Sequence, residues 1–332
     1  MNTPLPNTSR VTPAVSAAVK LTLIRDKCRP SVNDYLPLLF SNFHELHGDR
    51  LFGDDAAIIG GVGILKSTGL PVTVIAEVKG RNLEENKRTN FAMPHPEGYR
   101  KVLRLIAQAE KFRRPVVCFV DTPGAFCGIE AEKRGQGEAI ARCIQSFSAL
   151  QTPVVTIVLG EGGSGGALAL AVADKLAMLE NAIYSVISPR GFASILWKDP
   201  SREEEAANIL KITAEDLTGF GICDKIIGEP VIPTENGVVS YPENYLAEVA
   251  VNISAYLCET LRQLTREDTG SLLAARYEKF RKMGVYSENA EVSESSGNSE
   301  SSGSSENSEN SENSENSENS EISPETLPET LE

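Results

Sequence analysis

The sequence lacks the residues that several common kinds of site require. It contains only three histidines, His44, His47 and His95, and all of them precede the glycine-rich part of the chain. Its six cysteines include no Cys-x-x-Cys pair, which excludes a zinc ribbon within this chain. Several lie in apolar or helical runs, as expected for small buried side chains in a reducing compartment. We therefore expect no metal site in this chain.

Long hydrophobic segments are also missing. The longest apolar run, Ala167 to Ala173, is far shorter than the roughly 18 to 20 residues that a membrane-spanning helix needs. Residues 1–10 are polar, and Lys20 interrupts the weakly apolar stretch that follows, so no secretory signal is expected. These absences predict a cytoplasmic protein without a membrane partner.

Basic residues are outnumbered, with 32 Lys and Arg against 46 Asp and Glu. The excess is local, because residues 287–332 contain thirteen Glu and no Asp, Lys or Arg, and account for all but −1 of the net charge of −14. An acidic segment rich in Ser and Asn and free of aromatic residues buries too little apolar surface to fold, so we predict a disordered tail here. The nearly neutral remainder offers no broad basic face for nucleic acid.

Strand–turn–helix units organise the rest of the chain. We predict a lead-in over residues 1–30 and one domain over residues 31–286. The domain starts with a helix over 32–46, a hairpin formed by AAIIGGVGIL and PVTVIAEV, and a helix opened by Pro96. The apolar strands PVVCFV and PVVTIVLG each precede a turn and a predicted helix, GQGEAIARCIQSFSAL and LALAVADKLAML respectively. A strand AIYSVIS follows, and the chain after Pro200 is mainly helical. Fully apolar strands between helices indicate an α/β fold with a parallel sheet covered on both faces.

The most informative segment is the glycine-rich turn, residues 160–166, with the sequence GEGGSGG. Five glycines after a buried strand carry an entropic cost that a fold accepts where backbone must approach a ligand closely or adopt positive φ. A helix is predicted to begin here, so its first N–H groups are free and its positive dipole end favours negative charge. Free backbone donors of this kind are what an oxyanion hole requires.

Other motifs share the letters of the glycine-rich turn. Gly-x-Gly-x-x-Gly from Gly160 matches a dinucleotide fingerprint, but the next strand ends without the acidic residue that binds the ribose. Gly-x-Ser-x-Gly around Ser164 matches the nucleophile elbow of hydrolases, but no histidine follows it in the chain. A P-loop is excluded because no Gly-Lys-Ser or Gly-Lys-Thr follows the glycines. Glycines that serve only close helix–strand packing stay open as the structural alternative.

A second turn, Asp121 to Ala125, leaves the preceding apolar strand. Because the carboxyl ends of parallel strands meet at one edge of a sheet, this turn forms either a second wall of the same pocket or only a strand end capped by Asp121. Lys79 and Arg81 flank Gly80 in a local basic cluster. This cluster is either a solvated face or a site for a phosphate-bearing ligand such as coenzyme A.

These segments resemble the α subunit of bacterial acetyl-CoA carboxylase carboxyltransferase, a member of the crotonase-like superfamily. The resemblance covers roughly residues 30–285 and rests on long ordered runs, which are more specific than any single glycine motif. The runs are ELHGDR (45–50), DDAAIIGG (54–61), VKGR (78–81), NFAMPHPEGYRKVLRL (90–105), DTPGA (121–125), RGQGEAIA (134–141), GEGGSGGALAL (160–170), YSVISP (184–189) and ILWKD (195–199).

The resemblance implies a crotonase-like fold of repeated ββα units with flanking helices. It implies an enzyme of fatty acid biosynthesis that transfers a carboxyl group from carboxybiotin, held by a biotin carboxyl carrier protein, to acetyl-CoA, giving malonyl-CoA. The implied partner is a homologous β subunit in an α2β2 assembly, with zinc in the β subunit only. Biotin carboxylase would complete the ATP-dependent complex. No cofactor is expected to be covalently bound to this chain.

For the site, the resemblance implies an oxyanion hole made of backbone N–H groups from the glycine-rich turn. Gly165 and Gly166 are the first candidates, and Gly162 and Gly163 the next. Substrate contacts are expected from a further set of residues, Asp121, Gly124, Ala125, Lys79, Arg81 and Gly191. No side-chain acid or base is required, which agrees with the shortage of histidine.

The sequence departs from the family pattern in three places. Phe126 and Cys127 replace a Tyr-Pro pair, Arg190 replaces a Glu before Gly191, and VIPTENGVVSYPE (231–243) replaces a Gly-Gly-Ala-His stretch. Two alternatives therefore stay open. One is another crotonase-type acyl-CoA enzyme, such as a propionyl-type carboxyltransferase or a hydratase, although a hydratase needs paired carboxylates in the pocket. The other is a non-catalytic scaffold for the β subunit.

Overall fold

A mixed sheet forms the centre of the molecule, for which the computed structural model describes residues 15–230, 232–233 and 239–284. Its strands are β1 (Phe40–Glu45), β2 (Ile58–Leu65), β3 (Leu70–Glu77), β4 (Val116–Thr122), β5 (Val154–Gly163), β6 (Lys175–Leu179), β7 (Ile183–Ser185) and β8 (Lys225–Ile227). The strand order is β1-β2-β3-β4-β5-β6-β8, and β7 pairs with the end of β5. β1, β2 and β3 pair antiparallel, and all pairs from β3 onwards are parallel. Two short strands, β9 (Ile232–Pro233) and β10 (Val239–Ser240), pair separately.

Helices cover the sheet. They are α1 (Ala17–Ile24), α2 (Val32–Leu39), α3 (Leu83–Arg88), α4 (Pro96–Lys111), α5 (Ile129–Lys133), α6 (Gln136–Ala149), α7 (Ser164–Ala171), α8 (Pro189–Phe192), α9 (Glu203–Ile209), α10 (Ala214–Gly219), α11 (Tyr245–Leu264) and α12 (Thr269–Arg281). α4 packs on α6 and on the β2–β3 hairpin, α6 packs on α7, and α11 packs on α2 and β5. Because β4 and β5 are buried along their whole length, both faces of the central sheet are covered.

The α/β fold that the sequence patterns predicted is confirmed. β2 and β3 form the expected hairpin, in register from Ile58 opposite Glu77 to Leu65 opposite Leu70. α4 begins at Pro96, where the missing proline N–H costs no helical hydrogen bond. β4 and β5 lie side by side and parallel, so the turns that follow them leave the same edge of the sheet.

Two predicted helices were wrong in part. The helix predicted over 32–46 ends at Leu39, and Phe40–Glu45 instead form β1 against the open edge of β2. The predicted helix LALAVADKLAML ends at Ala171, and its second half is β6, parallel to β5. Asp174 accepts a hydrogen bond from the amide of Val154 at 2.7 Å, which ties the chain to the start of β5. In both cases pairing with a neighbouring strand decided the conformation of a short segment, mixed in β1 and mainly apolar in β6, that periodicity alone leaves ambiguous.

The predicted tail, 287–332, lies outside the described residues, and the boundaries predicted for the lead-in and the domain stay predictions. Within the predicted lead-in, α1 is formed and buries Leu21, Leu23 and Ile24. Among the residues that the structure describes, no helix is both long and apolar enough to cross a membrane.

Candidate active site

The glycine-rich turn is the junction between β5, which ends at Gly163, and α7, which begins at Ser164. The N–H groups of the first helical residues, Ser164, Gly165 and Gly166, have no acceptor one turn back in the helix. Gly163 at the N-cap provides no side chain to bond them. In the described part of the chain, the amides of Gly165 and Gly166 have no side-chain acceptor and no acceptor outside the helices and strands, whereas the Ser164 amide follows Gly163, which pairs with Ser185 of β7. The start of α7 therefore carries free backbone donors.

The second turn packs directly against this helix start. A Cβ on Gly166 would lie 2.5 Å from the amide nitrogen of Ala125 and 2.8 Å from the carbonyl carbon of Gly124. A Cβ on Gly163 would lie 2.1 Å from the carbonyl oxygen of Pro123. Such separations leave no room for a side chain, so the two turns contact each other backbone to backbone. Of the two interpretations that the sequence left open for the second turn, this contact favours a wall of the same site over a strand end that is only capped.

The amide of Ala125 is also free. Its neighbours are engaged, because the amide of Gly124 donates to Thr122 Oγ1 at 3.0 Å and the amide of Phe126 donates to the carbonyl of Pro94 at 3.0 Å. The Ala125 amide has no acceptor among the described residues. The free Ala125 amide thus lies against Gly166 at the start of α7, where backbone of the two turns comes together, and free backbone donors are what an oxyanion hole requires.

Gly162 and Gly163 contribute to the site in another way. Both belong to β5, where they pair with Tyr184 and Ser185 of β7. A Cβ on Gly162 would lie 2.9 Å from the ring of Tyr184. The structure therefore places these two glycines in the ladder beneath the free amides, where they permit the close approach of β7 and of the second turn.

Asp121 connects the two turns. Its side chain is buried, and its Oδ1 accepts a hydrogen bond from the amide of Glu161 at 3.0 Å. A Cβ on Gly160 would lie 2.5 Å from the same oxygen. Asp121 is the last residue but one of β4, and Glu161 lies near the end of β5. Their hydrogen bond therefore fixes the relative position of the two strand ends that carry the site.

A basic cleft of about 440 Å³ opens beside Asp121. It is lined by cationic side chains from the α1–α2 connection and the loop after β3, namely Arg25, Lys27, Arg29, Lys79 and Arg81. The Nζ of Lys79 donates to the carbonyl of Ile24 at 3.0 Å and lies 3.9 Å from Asp121 Oδ1. The structure therefore brings three predicted substrate residues, Lys79, Arg81 and Asp121, to one cleft.

An apolar groove of about 500 Å³ opens on the other side of the helix start. Ser164 and Gly165 form its end nearest the free amides, and Ser164 has a positive φ of 50°. The apolar lining comes from α7, from β7 and α10 with the residues that follow them, and from the end of α12; it includes Leu168, Tyr184, Val186, Leu217, Phe220 and Phe280. Gly191 lies in α8, where its amide donates to Ser188 Oγ, and it lines neither the groove nor the cleft.

Glu77 is a buried acid beneath the site that the sequence analysis did not single out. It ends β3, is 0% exposed, and neither carboxylate oxygen has a partner among the described residues. Burial, and secondly the charge of Asp121, raises the pKa of Glu77 well above its usual value. The Tyr99 hydroxyl, also buried and unpartnered within the described residues, lies 3.0 Å from the Cβ position of Gly166. A single Glu closing an apolar strand was the available sequence signal.

We expect Glu77→Gln to raise the free energy of unfolding, with a gain that grows from about pH 5 to pH 7. A raised folded-state pKa means that the contribution of Glu77 is present below the unfolded pKa of about 4.3 and is lost as the pH rises towards the folded value. Across this window the free energy of unfolding of the wild type falls, relative to that of the variant, by up to about 1.4 kcal/mol per pH unit. Urea unfolding of both proteins at several pH values measures the difference. If the free energies of unfolding of both proteins changed in parallel with pH, the pKa of Glu77 would not be raised by folding, and Glu77 would be ionised in the folded protein.

Among residues 15–230, 232–233 and 239–284, no group of three or more His, Cys, Asp or Glu side chains is arranged to hold a metal ion. The acidic side chains described near the helix start are Glu77, Asp121 and Glu161, all of them buried.

Comparison with known proteins places these features in a family. The family described as "Acetyl co-enzyme A carboxylase carboxyltransferase-like" matches residues 7–284. The acetyl-coenzyme A carboxylase carboxyl transferase subunit alpha of Clostridium acetobutylicum is 54% identical over 272 residues, covering 82% of this chain and 96% of the relative. A Clostridium tetani protein named as subunits beta/alpha of the same enzyme is 53% identical over 80% of this chain and 45% of its own length.

Similarity to solved structures supports the fold. Transcarboxylase 12S aligns with a TM-score of 0.54 at 16% identity, covering 73% of this chain and 44% of that chain. This likeness confirms the crotonase-like α/β fold that the sequence motifs implied. Together with the match of the family over residues 7–284, it shows that the chain belongs to the acetyl-coenzyme A carboxylase carboxyltransferase family, as an alpha subunit.

Proposed function

We propose that this chain, together with a β subunit, transfers the carboxyl group of carboxybiotin to acetyl-CoA and so forms malonyl-CoA. The single observation that carries this proposal is the pair of free amides, Ala125 and Gly166, at the contact of two backbone turns. Family membership selects the reaction, and the amides provide the chemistry that it needs in this subunit. Gly165 supplies a further donor at the edge of the apolar groove.

The negative charge of the reaction falls on biotin. When the N–C bond of carboxybiotin breaks, CO2 leaves and the bonding electrons stay on the ureido group. Amide donors and the positive end of α7 stabilise the ureido oxygen at this moment. The ureido anion takes a proton from the methyl group of acetyl-CoA, and the resulting enolate carbon bonds to CO2. No side chain of this subunit needs to titrate.

The two cavities beside the amides suit the two substrates. The apolar groove, which begins at Ser164 and Gly165, fits the ring and alkyl arm of biotin on its carrier protein. The basic cleft suits the phosphates of the acyl-CoA, with Lys79 and Arg81 as the proposed contacts. Gly124 and Ala125 are proposed to contact substrate through their backbone, and Asp121 to hold the turn. Gly191, which lies outside both cavities, stays a proposed substrate contact on the strength of the family resemblance alone.

The remaining partners follow from the family. A β subunit is expected, because relatives such as the Clostridium tetani protein carry β and α in one chain. We propose an α2β2 assembly in which zinc belongs to the β subunit, supplied with carboxybiotin by the carrier protein and biotin carboxylase. We propose the cytoplasm as its location, and the described cysteines, all free thiols, suit a reducing compartment.

Reconstitution tests this function. The full chain, mixed with a purified β subunit, is expected to decarboxylate malonyl-CoA in the presence of free biotin, whereas either subunit alone is expected to be inactive. Methylmalonyl-CoA in the same assay serves as the comparison substrate for a propionyl-type enzyme. A complex that assembles but turns over neither substrate would favour the scaffold alternative.

A further inference from the structure

Thr122, the last residue of β4, lies at the base of the second turn and is fully buried. Its Oγ1 accepts a hydrogen bond from the amide of Gly124 at 3.0 Å. The single proton of the same hydroxyl faces two carbonyl oxygens, that of Gly124 at 2.9 Å, within the Gly124–Ala125 peptide, and that of Ala92, which belongs to a different segment. One side chain therefore fixes the turn at Gly124 and connects it to residues 90–95.

The segment that provides the acceptor has an unusual backbone. Asn90, Phe91 and Ala92 have φ values of 48°, 56° and 60°, which form one left-handed turn without glycine. L-residues avoid this conformation, and surrounding contacts must hold it in place. Asn90 Nδ2 donates to the carbonyl of Met93 at 2.8 Å, and the hydroxyl of Thr122 binds Ala92 at the end of the turn.

The same segment holds the other end of the second turn. The carbonyl of Pro94 accepts from the amide of Phe126 at 3.0 Å and from Gln136 Nε2 at 2.8 Å. Gln136 Nε2 also donates to the carbonyl of Phe126 at 2.9 Å. Both neighbours of Ala125 are thus fixed by hydrogen bonds, while the amide of Ala125 stays free beside Gly166.

We propose that Thr122 is a positioning residue, whose hydroxyl holds the Gly124–Ala125 peptide so that the Ala125 amide points at the oxyanion. This inference rests on the proposed function, since it assigns the Ala125 amide to the developing charge on biotin. The left-handed turn at Asn90–Ala92 places the Ala92 carbonyl where the Thr122 hydroxyl needs its acceptor. Thr122 itself is fully buried, so we assign it to positioning and not to substrate contact.

Three substitutions test this role in the complex with the β subunit. Thr122→Val keeps the shape of the side chain but removes the hydroxyl's contacts with Gly124 and Ala92, and Thr122→Ser keeps the hydroxyl but removes the methyl group. Thr152→Val is the matched control, since the buried Thr152 hydroxyl has no hydrogen-bond partner in the described part of the chain. The readouts are kcat and KM for biotin-dependent decarboxylation of malonyl-CoA, together with the melting temperature of each complex.

We expect Thr122→Val to lower kcat by about 10- to 100-fold, because a misplaced donor stabilises the transition state poorly while ground-state binding is kept. KM for malonyl-CoA is expected to stay within about threefold of the wild type, as for an interaction made only in the transition state. Thr122→Ser and Thr152→Val are expected to retain the wild-type kcat.

Wild-type kcat in Thr122→Val, or equal losses in the Val and Ser variants, would overturn the positioning role while leaving the proposed function intact. If the Val variant does not fold, the Ser variant decides, since a clear loss of kcat there assigns the role to the methyl group. An inactive wild-type complex would instead overturn the proposed function, and this inference with it.

Discussion

Gly166→Ala is expected to lower kcat for biotin-dependent malonyl-CoA decarboxylation by about 100-fold or more, the usual loss when one oxyanion donor fails. The added Cβ would lie 2.5 Å from the Ala125 amide nitrogen and 2.8 Å from the Gly124 carbonyl carbon. Both atoms are backbone and cannot rotate away, so the turns must separate. Separation moves one amide away from the other, and the oxyanion then loses a donor.

Gly165→Ala is the matched variant at the neighbouring position. A Cβ there would meet only Ile140 Cγ2, at an ordinary 3.6 Å, so the contact of the two turns is preserved. We expect this variant to assemble normally and to lose far less activity than Gly166→Ala. Gly137→Ala in α6, where a Cβ has no neighbour within 4 Å, controls for the substitution itself. Full activity in Gly166→Ala would show that catalysis does not use the paired amides.

The sequence was sufficient for the main features of this site. Apolar strands followed by glycine-containing turns predicted parallel neighbours, and parallel neighbours bring their carboxyl-terminal turns together. That argument offered the turn from Asp121 to Ala125 as one possible wall of the same pocket, and in the structure Gly124 and Ala125 lie against Gly166 while Asp121 binds the amide of Glu161. The density of glycine was informative because a Cβ at Gly163 or Gly166 would collide with backbone of the other turn.

Other features depend on contacts that no local pattern specifies. β1 and β6 are short apolar or mixed runs, and they became strands because sheet edges were available to pair with them. The left-handed turn at Asn90–Ala92 contains no glycine that would have indicated it in the sequence. Its hydrogen bond with the Thr122 hydroxyl joins residues that are 30 positions apart. Glu77 was visible as a charge in a strand, but its lack of a partner is a property of the packed interior.

Arg276→Met is expected to destabilise the folded chain by about 3 to 5 kcal/mol, as when one partner of a buried ion pair is removed. Arg276 is 2% exposed and uses all of its donors. Its Nε and Nη2 bind Asp174 at 2.7 and 2.9 Å, and its remaining N–H groups donate to the carbonyls of Phe147, Leu150 and Thr152. This side chain thereby joins α12 to the end of α6 and to the start of β5.

The size of the effect comes from what the substitution leaves behind. Methionine fills much of the same volume, but the Asp174 carboxylate then stays buried with only the Val154 amide as a donor. The three carbonyls also lose the donor that Arg276 supplied to each of them. Arg142→Met is the matched control, because Arg142 pairs with Glu138 on the surface of α6, where such pairs contribute less than about 1 kcal/mol. Urea unfolding of both variants measures the difference. Equal, small losses would mean that water reaches Asp174 and solvates it, and that the end of α12 is held by its apolar contacts instead.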